Sequence, residues 1–197
     1  MIVVDVETSG LDPKENSIIS IGAINFINTS QRFYEECNVF DGATVNIDSL
    51  KINGFSKDDI IDNKNRKSLR EIIVEFSSWI KNQNTEKIIA GQNPSFDRDF
   101  LIRSFERNQM NFPFTFRTVD LNTLCINYVI QKKIDVKIST LNTNRIYDIL
   151  GMPAEPNPHN ALTGAIMETE AFYRLIYGKN IIEDFKNYPI PKSLLIP

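Results

Sequence analysis

Cysteine is scarce in this sequence, and long apolar segments are absent from it. The 197 residues include only Cys37 and Cys125, whose separation fits neither a metal-binding nor a redox motif. We therefore expect two buried thiols in a reducing, cytoplasmic compartment. No apolar run approaches the roughly 18 residues of a membrane-spanning helix, so no membrane association is expected. Because residues 2–4 are already strand-like, we also expect no signal peptide.

An excess of positive charge is missing as well. The formal net charge is -3 and the pI is about 5.3. This balance argues against a protein that coats long nucleic acid through phosphate contacts alone. It does not exclude a nuclease, because metal ions held by carboxylates supply positive charge at the reacting phosphate.

The pattern of apolar residues predicts one α/β domain with a mixed sheet. The predicted strands are 2–7, 18–27, 32–40 and 87–90, and the predicted helices are 68–81, 97–107, 119–130, 140–150 and 160–177. Ser68 is a suitable N-cap, and Gly178 is expected to end the last helix. We expect the domain to span residues 1–178, with residues 179–197 forming an extended C-terminal tail on the surface.

Two acids occupy alternate positions of the first predicted strand. Asp5 and Glu7 therefore share one face, whereas Val4 and Val6 point the other way, into the core. Neighbouring carboxylates in a buried strand repel each other unless cations lie between them, and such oxygen ligands suit Mg²⁺ or Mn²⁺. An edge strand with both acids facing water is the alternative explanation.

Three later features extend this candidate site. Gly10 follows the strand and allows the backbone to turn close to a ligand, although residues 8–11 also fit an ordinary loop. Asp97 lies near a predicted helix start, where a carboxylate is also favourable for the helix alone, and Asp99 would face elsewhere. His159, the only histidine, would take a proton from water beside a metal site, or else lie on the surface.

Together these segments resemble the DnaQ-like DEDDh family of 3'–5' exonucleases. The three family motifs correspond to residues 4–11 (VDVETSGL), 90–101 (AGQNPSFDRDFL) and 159–165 (HNALTGA). Each motif is weak alone, but the ordered set is specific and extends over nearly the whole chain. The resemblance implies a ribonuclease-H-like, three-layer fold with a mixed five-stranded sheet flanked by helices.

The resemblance also implies a mechanism with two Mg²⁺ or Mn²⁺ ions. Asp5 would bridge both ions, Glu7 would help hold the ion that binds the attacking water, and Asp97 would support the second ion. His159 would act as the general base. The product would be a nucleoside 5'-monophosphate, released from the 3' end of DNA or RNA. The implied contacts to that end are Thr8, Ser9, Gly10, Leu11, Asn93 and Phe96.

The sequence departs from the family pattern at Gly164, where the family has a metal-binding aspartate. The first explanation is a crippled form of an active enzyme. The second is a degenerate member that binds nucleic-acid ends, or a polymerase partner, without cutting them. The third is rescue by Glu168, one helical turn further on, which is otherwise a solvated helix residue. We rank rescue last, because the side chain would have to span about 6 Å of helix axis.

The implied partners are single-stranded DNA or RNA 3' ends, together with a possible polymerase subunit or a second copy of the chain. The sequence does not choose between DNA and RNA. The apolar residues Leu194, Leu195 and Ile196 in the tail would dock on a partner or on the domain itself.

Overall fold

The computed structural model describes residues 1–195, which form a mixed sheet covered by helices. The strands are β1 (Ile2–Thr8), β2 (Ile18–Asn25), β3 (Arg32–Glu36), β4 (Ile89–Gly91) and β5 (Thr118–Asp120). The helices are α1 (Ile47–Asn53), α2 (Lys57–Ile60), α3 (Leu69–Lys81), α4 (Pro94–Arg107), α5 (Leu121–Lys132), α6 (Thr143–Ile149) and α7 (Ala161–Tyr177). Ile196 and Pro197 lie outside the described residues.

The five strands are arranged in the order β3-β2-β1-β4-β5. The first three form an antiparallel meander, whereas β4 and β5 are added parallel to β1. The predicted mixed five-stranded sheet is therefore confirmed. Parallel addition requires a crossover connection, and the crossovers carry α3 and α4.

The alternation of side chains along β1 divides the core into two layers. Ile2, Val4 and Val6 are buried in a cluster with α3 and α4 on one face of the sheet. Val3 is buried in a second cluster with α5, α6 and α7 on the other face. Asp5, which shares the face of Val3, is consequently directed toward α7. The predicted burial of Val4 and Val6 is thus confirmed.

Several predicted boundaries differ from those of the structure. The segment 119–130 was predicted as a helix, but its first two residues belong to β5. Helix α5 begins only at Leu121, because Asp120 is its N-cap and accepts hydrogen bonds from the backbone N–H groups of Asn122 and Thr123. The helix predicted from residue 97 begins at Pro94. The predicted strands 18–27 and 32–40 end earlier, at Asn25 and Glu36.

Two short helices, α1 and α2, were not predicted from the sequence. They have seven and four residues, too few for a clear periodic pattern. Their N-caps, Asn46 and Ser56, are the only local signals, and each accepts hydrogen bonds from backbone N–H groups. The two helices cover a small third cluster made by Ile19, Leu50 and Ile60.

The segment after α7 is folded rather than extended, which corrects the expected tail. It contains two short 3₁₀ turns, at Glu183–Phe185 and Lys192–Leu194. Ile182, Phe185 and Leu194 are buried in the cluster around α5, α6 and α7. The burial of these apolar side chains explains why the segment folds onto the domain. The domain boundary at residue 178 stays a prediction. Among the helices that the structure describes, none has the length and apolarity required to cross a membrane.

A buried ion pair fastens this segment to α7. Arg174 and Glu170 are both fully buried, with 2.8 Å between Arg174 Nε and Glu170 Oε1. The Arg174 guanidinium also donates to four backbone carbonyls, those of Leu150, Gly151, Phe185 and Tyr188. Glu170 Oε2 accepts from the backbone N–H groups of Ile181 and Ile182. The residues after α6, helix α7 and the segment after α7 thus meet at one network, in which both charged side chains have hydrogen-bond partners.

We expect Arg174→Met to lower the free energy of unfolding by about 3–5 kcal/mol, since it leaves a buried carboxylate without its cation. Urea denaturation would measure the change. Arg145→Met is the matched control, because Arg145 forms an exposed pair with Asp148; its effect should stay within about 0.5 kcal/mol. Equal effects of the two substitutions would contradict this assignment.

Candidate active site

A polar cleft opens where β1 and β4 separate. The parallel pairing of these strands covers only Ile2 and Val3 of β1, so the carboxyl end of β1 is left free on that side. The cleft has a volume of about 220 Å³. Five carboxylates line it: Asp5, Glu7, Asp97, Glu155 and Glu168. His159, Gly164, Asn93 and Phe96 also line it. Ligand sites in α/β proteins commonly lie at such carboxyl ends.

The position of Asp5 depends on a close helix contact. Asp5 is paired with Gly22 of β2 in the antiparallel ladder. A Cβ at Gly22 would lie 2.1 Å from the carbonyl oxygen of Ala161, so only glycine allows the start of α7 to rest on the sheet there. As a result, α7 passes directly over Asp5.

Asp97 reaches the cleft from the first turn of α4. Its Oδ1 accepts a hydrogen bond of 3.0 Å from the backbone N–H of Val6. This N–H has no strand partner, because the pairing with β4 has already ended. Asp97 therefore joins α4 to the open end of β1. Asp99 lies on the outside, as the sequence predicted. It forms an ion pair with Arg98.

His159 is held at the cleft by a loop that rests on α1. Its backbone N–H donates to the carbonyl oxygen of Ile52, at 3.0 Å. Its side chain is 35% exposed, and Nδ1 lies 3.9 Å from Oε1 of Glu155. That separation is too long for a hydrogen bond, so the contact is electrostatic. The unpredicted helix α1 thus supplies the support for this loop.

Gly164 lies directly against Asp5. A Cβ at position 164 would lie 2.1 Å from Asp5 Oδ2 and 2.9 Å from Asp5 Cγ. The Asp5 carboxylate therefore occupies the space that a side chain at position 164 would take. The carboxylate is the far end of a flexible side chain, so a rotation of Asp5 would free this space.

Glu168 is a buried residue of the cleft, which corrects its interpretation as a solvated residue. Only 6% of its surface is exposed. Its Oε1 accepts a hydrogen bond of 3.0 Å from the backbone N–H of Gln92, whereas its Oε2 is buried without a partner in the described chain. Helix α7 crosses over the ends of β1 and β4 and places Glu168 in the lining of the cleft, while its role as a substitute ligand stays a prediction.

Glu155 is a site residue that the sequence reasoning missed. It lies four residues before His159 in the proline-rich loop, and its side chain is largely buried. The only sequence signal is the four-residue spacing between Glu155 and His159. This segment forms neither a helix nor a strand, so the spacing alone did not predict that the two side chains lie together. Tyr147 of α6 also lines the cleft, and its hydroxyl is buried without a partner in the described chain.

The predicted nucleotide-binding loop lies outside the lining of the cleft. Thr8 Oγ1 donates to the carbonyl oxygen of Gly10, and Ser9 Oγ donates to the carbonyl oxygen of Thr44. Ser9 is fully buried, so its hydroxyl serves the fold. Leu11 is 76% exposed. Of these four residues, Leu11 is the one whose side chain is open to a ligand.

Gly10 has a packing role in the structure. A Cβ at this position would lie 2.4 Å from Cγ of Asn16. The two other predicted contacts, Asn93 and Phe96, do line the cleft. Asn93 is exposed and adopts a left-handed conformation just before α4, while Phe96 packs against Phe100.

Burial and mutual repulsion raise the pKa values of these acids. Burial raises the pKa of Glu7 to about 7, with a further contribution from the charge of Glu155. Burial likewise raises the pKa of Asp97 to about 7. The pKa values of Asp5 and Glu168 lie well above their usual range, first because of burial and then because of neighbouring carboxylates. Among the described residues, no lysine or arginine lines the cleft to relieve this repulsion.

The donor set suits a hard divalent cation, since every charged ligand is a carboxylate oxygen. In the described part of the chain, no three histidine, cysteine or acidic side chains already converge closely enough to enclose an ion. Asp5 is turned onto Gly164. The unpartnered Oε2 of Glu168 is a free ligand atom within the same cleft.

Comparison with known proteins identifies the family of this chain. The family model described as "3'-5' exoribonuclease Rv2179c-like domain" matches residues 1–175. Ribonuclease T of Wigglesworthia glossinidia brevipalpis is 25% identical over 213 aligned residues, which cover 98% of this chain and 90% of that protein. Ribonuclease T of Haemophilus influenzae (strain PittEE) is 28% identical over 120 residues, which cover 54% of this chain and 51% of that protein.

Solved structures share the fold. Cell-death related nuclease 4 (CRN-4) superimposes with a TM-score of 0.72 and 13% identity, over 89% of this chain and 62% of that chain. The nuclease domain of 3'hExo, a DEDDh family member bound to rAMP, gives a TM-score of 0.69 and 14% identity, over 97% and 95% of the two chains. These neighbours confirm the predicted ribonuclease-H-like architecture. The predicted resemblance to 3'–5' exonucleases is confirmed: because the family model matches residues 1–175 of the 197, the chain belongs to the 3'-5' exoribonuclease Rv2179c-like domain family.

Proposed function

We propose that this chain is a metal-dependent exonuclease that removes nucleoside 5'-monophosphates one at a time from single-stranded RNA 3' ends. The observation that carries the proposal is the cleft, which is lined by five carboxylates and a histidine. RNA is favoured over DNA by the family description and by the ribonuclease T relatives. Single-stranded DNA 3' ends are the alternative substrate.

Asp5, Glu7 and Asp97 would hold two Mg²⁺ or Mn²⁺ ions. When bound, such ions supply positive charge at the scissile phosphate and make a water molecule more acidic. The chain itself offers no cationic side chain for this purpose among the described residues that line the cleft. Bound cations would also relieve the repulsion that raises the carboxylate pKa values.

His159 would accept the proton of the attacking water. Glu155, 3.9 Å from Nδ1, favours a proton on that nitrogen and leaves Nε2 free as the acceptor. The partial exposure of the ring lets the proton pass on to solvent. Its position at the edge of the cleft places this base beside the carboxylates that would hold the ions.

The terminal nucleotide would lie between Phe96 and the loop that ends at Leu11. Phe96 lines the cleft, and Leu11 exposes its side chain, so each can pack against a base. Asn93 offers an exposed amide for a polar contact. Thr8, Ser9 and Gly10, which are buried, would support the Leu11 end of this loop from within the fold.

A cytoplasmic location is part of the proposal, and the free, buried thiols of Cys37 and Cys125 support it. Association with a polymerase subunit or with a second copy of the chain stays a prediction. Of the tail residues expected to dock, Leu194 packs on the domain itself, whereas Leu195 is exposed. Ile196 lies outside the described residues.

We expect the chain with Mn²⁺ to shorten 5'-labelled single-stranded RNA in one-nucleotide steps from the 3' end. Asp5→Asn should abolish the activity, since Asp5 lies at the centre of the proposed metal site. Asp58→Asn is the matched control, because Asp58 is an exposed acid of α2 away from the cleft. Gel electrophoresis of the products, with DNA of the same sequence in parallel, would measure this. Internal cleavage, or equal activity of Asp5→Asn, would contradict the proposal.

We further propose that Gly164 lowers the activity below that of a chain with the family's aspartate, without abolishing it. Gly164→Asp should then raise the cleavage rate by about tenfold or more, because it adds the family's carboxylate beside Asp5. Asp5 Oδ2 must rotate away, and circular dichroism would check that the variant is folded. A binding module without catalysis is the competing function, which the absent aspartate favours. It predicts that neither chain cuts, while both retain RNA ends in a gel-shift assay.

The metal-free protein should become less stable as the pH rises from about 4 to 7. In this window the folded protein keeps protons on Glu7 and Asp97, whose pKa values are about 7, whereas the unfolded chain has released them from groups with ordinary values of 4.5 and 3.8. The state that binds more protons loses stability as the pH rises. Melting temperatures from pH 4 to 8 would show the fall, and Mn²⁺ should oppose it most strongly at high pH. A flat profile, or one that Asp97→Asn does not weaken, would contradict this.

A further inference from the structure

We propose that Glu168 holds a divalent cation together with Asp5 and Asp97, in place of the aspartate that the family pattern puts at position 164. This inference rests on the proposed metal-dependent function and assigns its missing ligand. The three carboxylates reach the same cleft from three elements, β1, α4 and α7. Carboxylate oxygens from separate elements are suitable ligands for Mg²⁺ or Mn²⁺.

The two oxygens of Glu168 have different surroundings. Oε1 accepts a hydrogen bond from the backbone N–H of Gln92 at 3.0 Å, which fixes the side chain at the end of β4. Oε2 is buried and has no hydrogen-bond partner within the described chain. A buried carboxylate oxygen without a partner is costly, so the arrangement is favourable only when a cation or a proton satisfies it.

Glu170, two residues further along the same helix, is a buried acid with a purely structural role. Glu170 is also buried, but one oxygen binds Arg174 and the other accepts from the backbone N–H groups of Ile181 and Ile182. Glu168 has one such contact only. The helix therefore carries one fully satisfied acid and one whose Oε2 is buried without a partner in the described chain.

Two glycines leave the space that this arrangement needs. A Cβ at Gly91 would lie 3.1 Å from Glu168 Oε2 and 3.1 Å from the carbonyl oxygen of Val4, so glycine lets the carboxylate rest against the sheet. Gly164 lets the Asp5 carboxylate turn toward α7, the helix that carries Glu168. The loss of a side chain at position 164 thus brings Asp5 to the helix from which the replacement acid comes.

A role of Glu168 limited to accepting from Gln92 is the competing explanation. A glutamine would accept the same hydrogen bond without a buried charge. Because no lysine or arginine lines the cleft in the described chain, an ionised Glu168 needs a cation from solution. The Glu168→Gln variant separates the two roles, since it keeps the carbonyl acceptor and removes the charge.

Mn²⁺ binding to the full chain tests the inference, measured by isothermal titration calorimetry with melting temperatures as a check on folding. Glu168→Gln should weaken Mn²⁺ binding by roughly ten- to hundredfold. The metal-free variant should melt at or above the temperature of the parent chain, because a buried charge is gone. Gly164→Asp in the Glu168→Gln background should restore binding. Glu183→Gln, at an exposed position, is the matched control and should bind like the parent.

Unchanged Mn²⁺ affinity in Glu168→Gln would overturn the inference. A loss that Gly164→Asp does not restore would also overturn it, since Glu168 would then act through the fold. Asp5→Asn, titrated in parallel, separates this from the proposed function. If Asp5→Asn loses Mn²⁺ while Glu168→Gln does not, the exonuclease proposal stands alone. If the parent binds no Mn²⁺, both proposals fail.

Discussion

The contact between α7 and the sheet at Gly22 is the constraint on which the site depends. A side chain at this position would collide with the backbone of Ala161, and backbone atoms cannot move aside cheaply. Because Gly22 is paired with Asp5, the helix that rests there necessarily passes over the acid. The same helix then carries Gly164 and Glu168 across the ends of β1 and β4. The missing side chain at Gly22 thus sets the position of Asp5 on β1 relative to Gly164 and Glu168 on α7.

The buried acids on the two sides of α7 differ in whether a cationic side chain neutralises them. Toward the C-terminal segment, Glu170 and Arg174 neutralise each other and satisfy the surrounding backbone groups. Toward the cleft, Asp5 and Glu168 remain among other acids, and burial keeps their pKa values raised. A structure that depended on the cleft only for stability would gain from removing these charges. A cation bound in the proposed function would offset the repulsion between these charges, at the expense of the stability of the metal-free protein.

The sequence was informative wherever a short-range pattern decides the outcome. The alternation in β1 predicted that Asp5 and Glu7 share a face, and the helix start predicted the place of Asp97. The sequence did not predict features that depend on how distant elements pack together. The burial of Glu168 depends on how α7 crosses the sheet, and the arrival of Glu155 depends on an irregular loop. Helices α1 and α2, with seven and four residues, are too short for a clear periodic signal, and β5 lies in a segment that was predicted as a helix.

Anomalous diffraction from crystals soaked in Mn²⁺ would show whether the cleft is a cation site completed by Glu168, because the signal locates each ion without reference to activity. We expect anomalous peaks inside the cleft, with one in contact with both Asp5 and Glu168. Peaks in the cleft that leave Glu168 bound only to Gln92 would exclude the proposed role of this residue. The absence of any peak among the five carboxylates would exclude a cation site in the cleft.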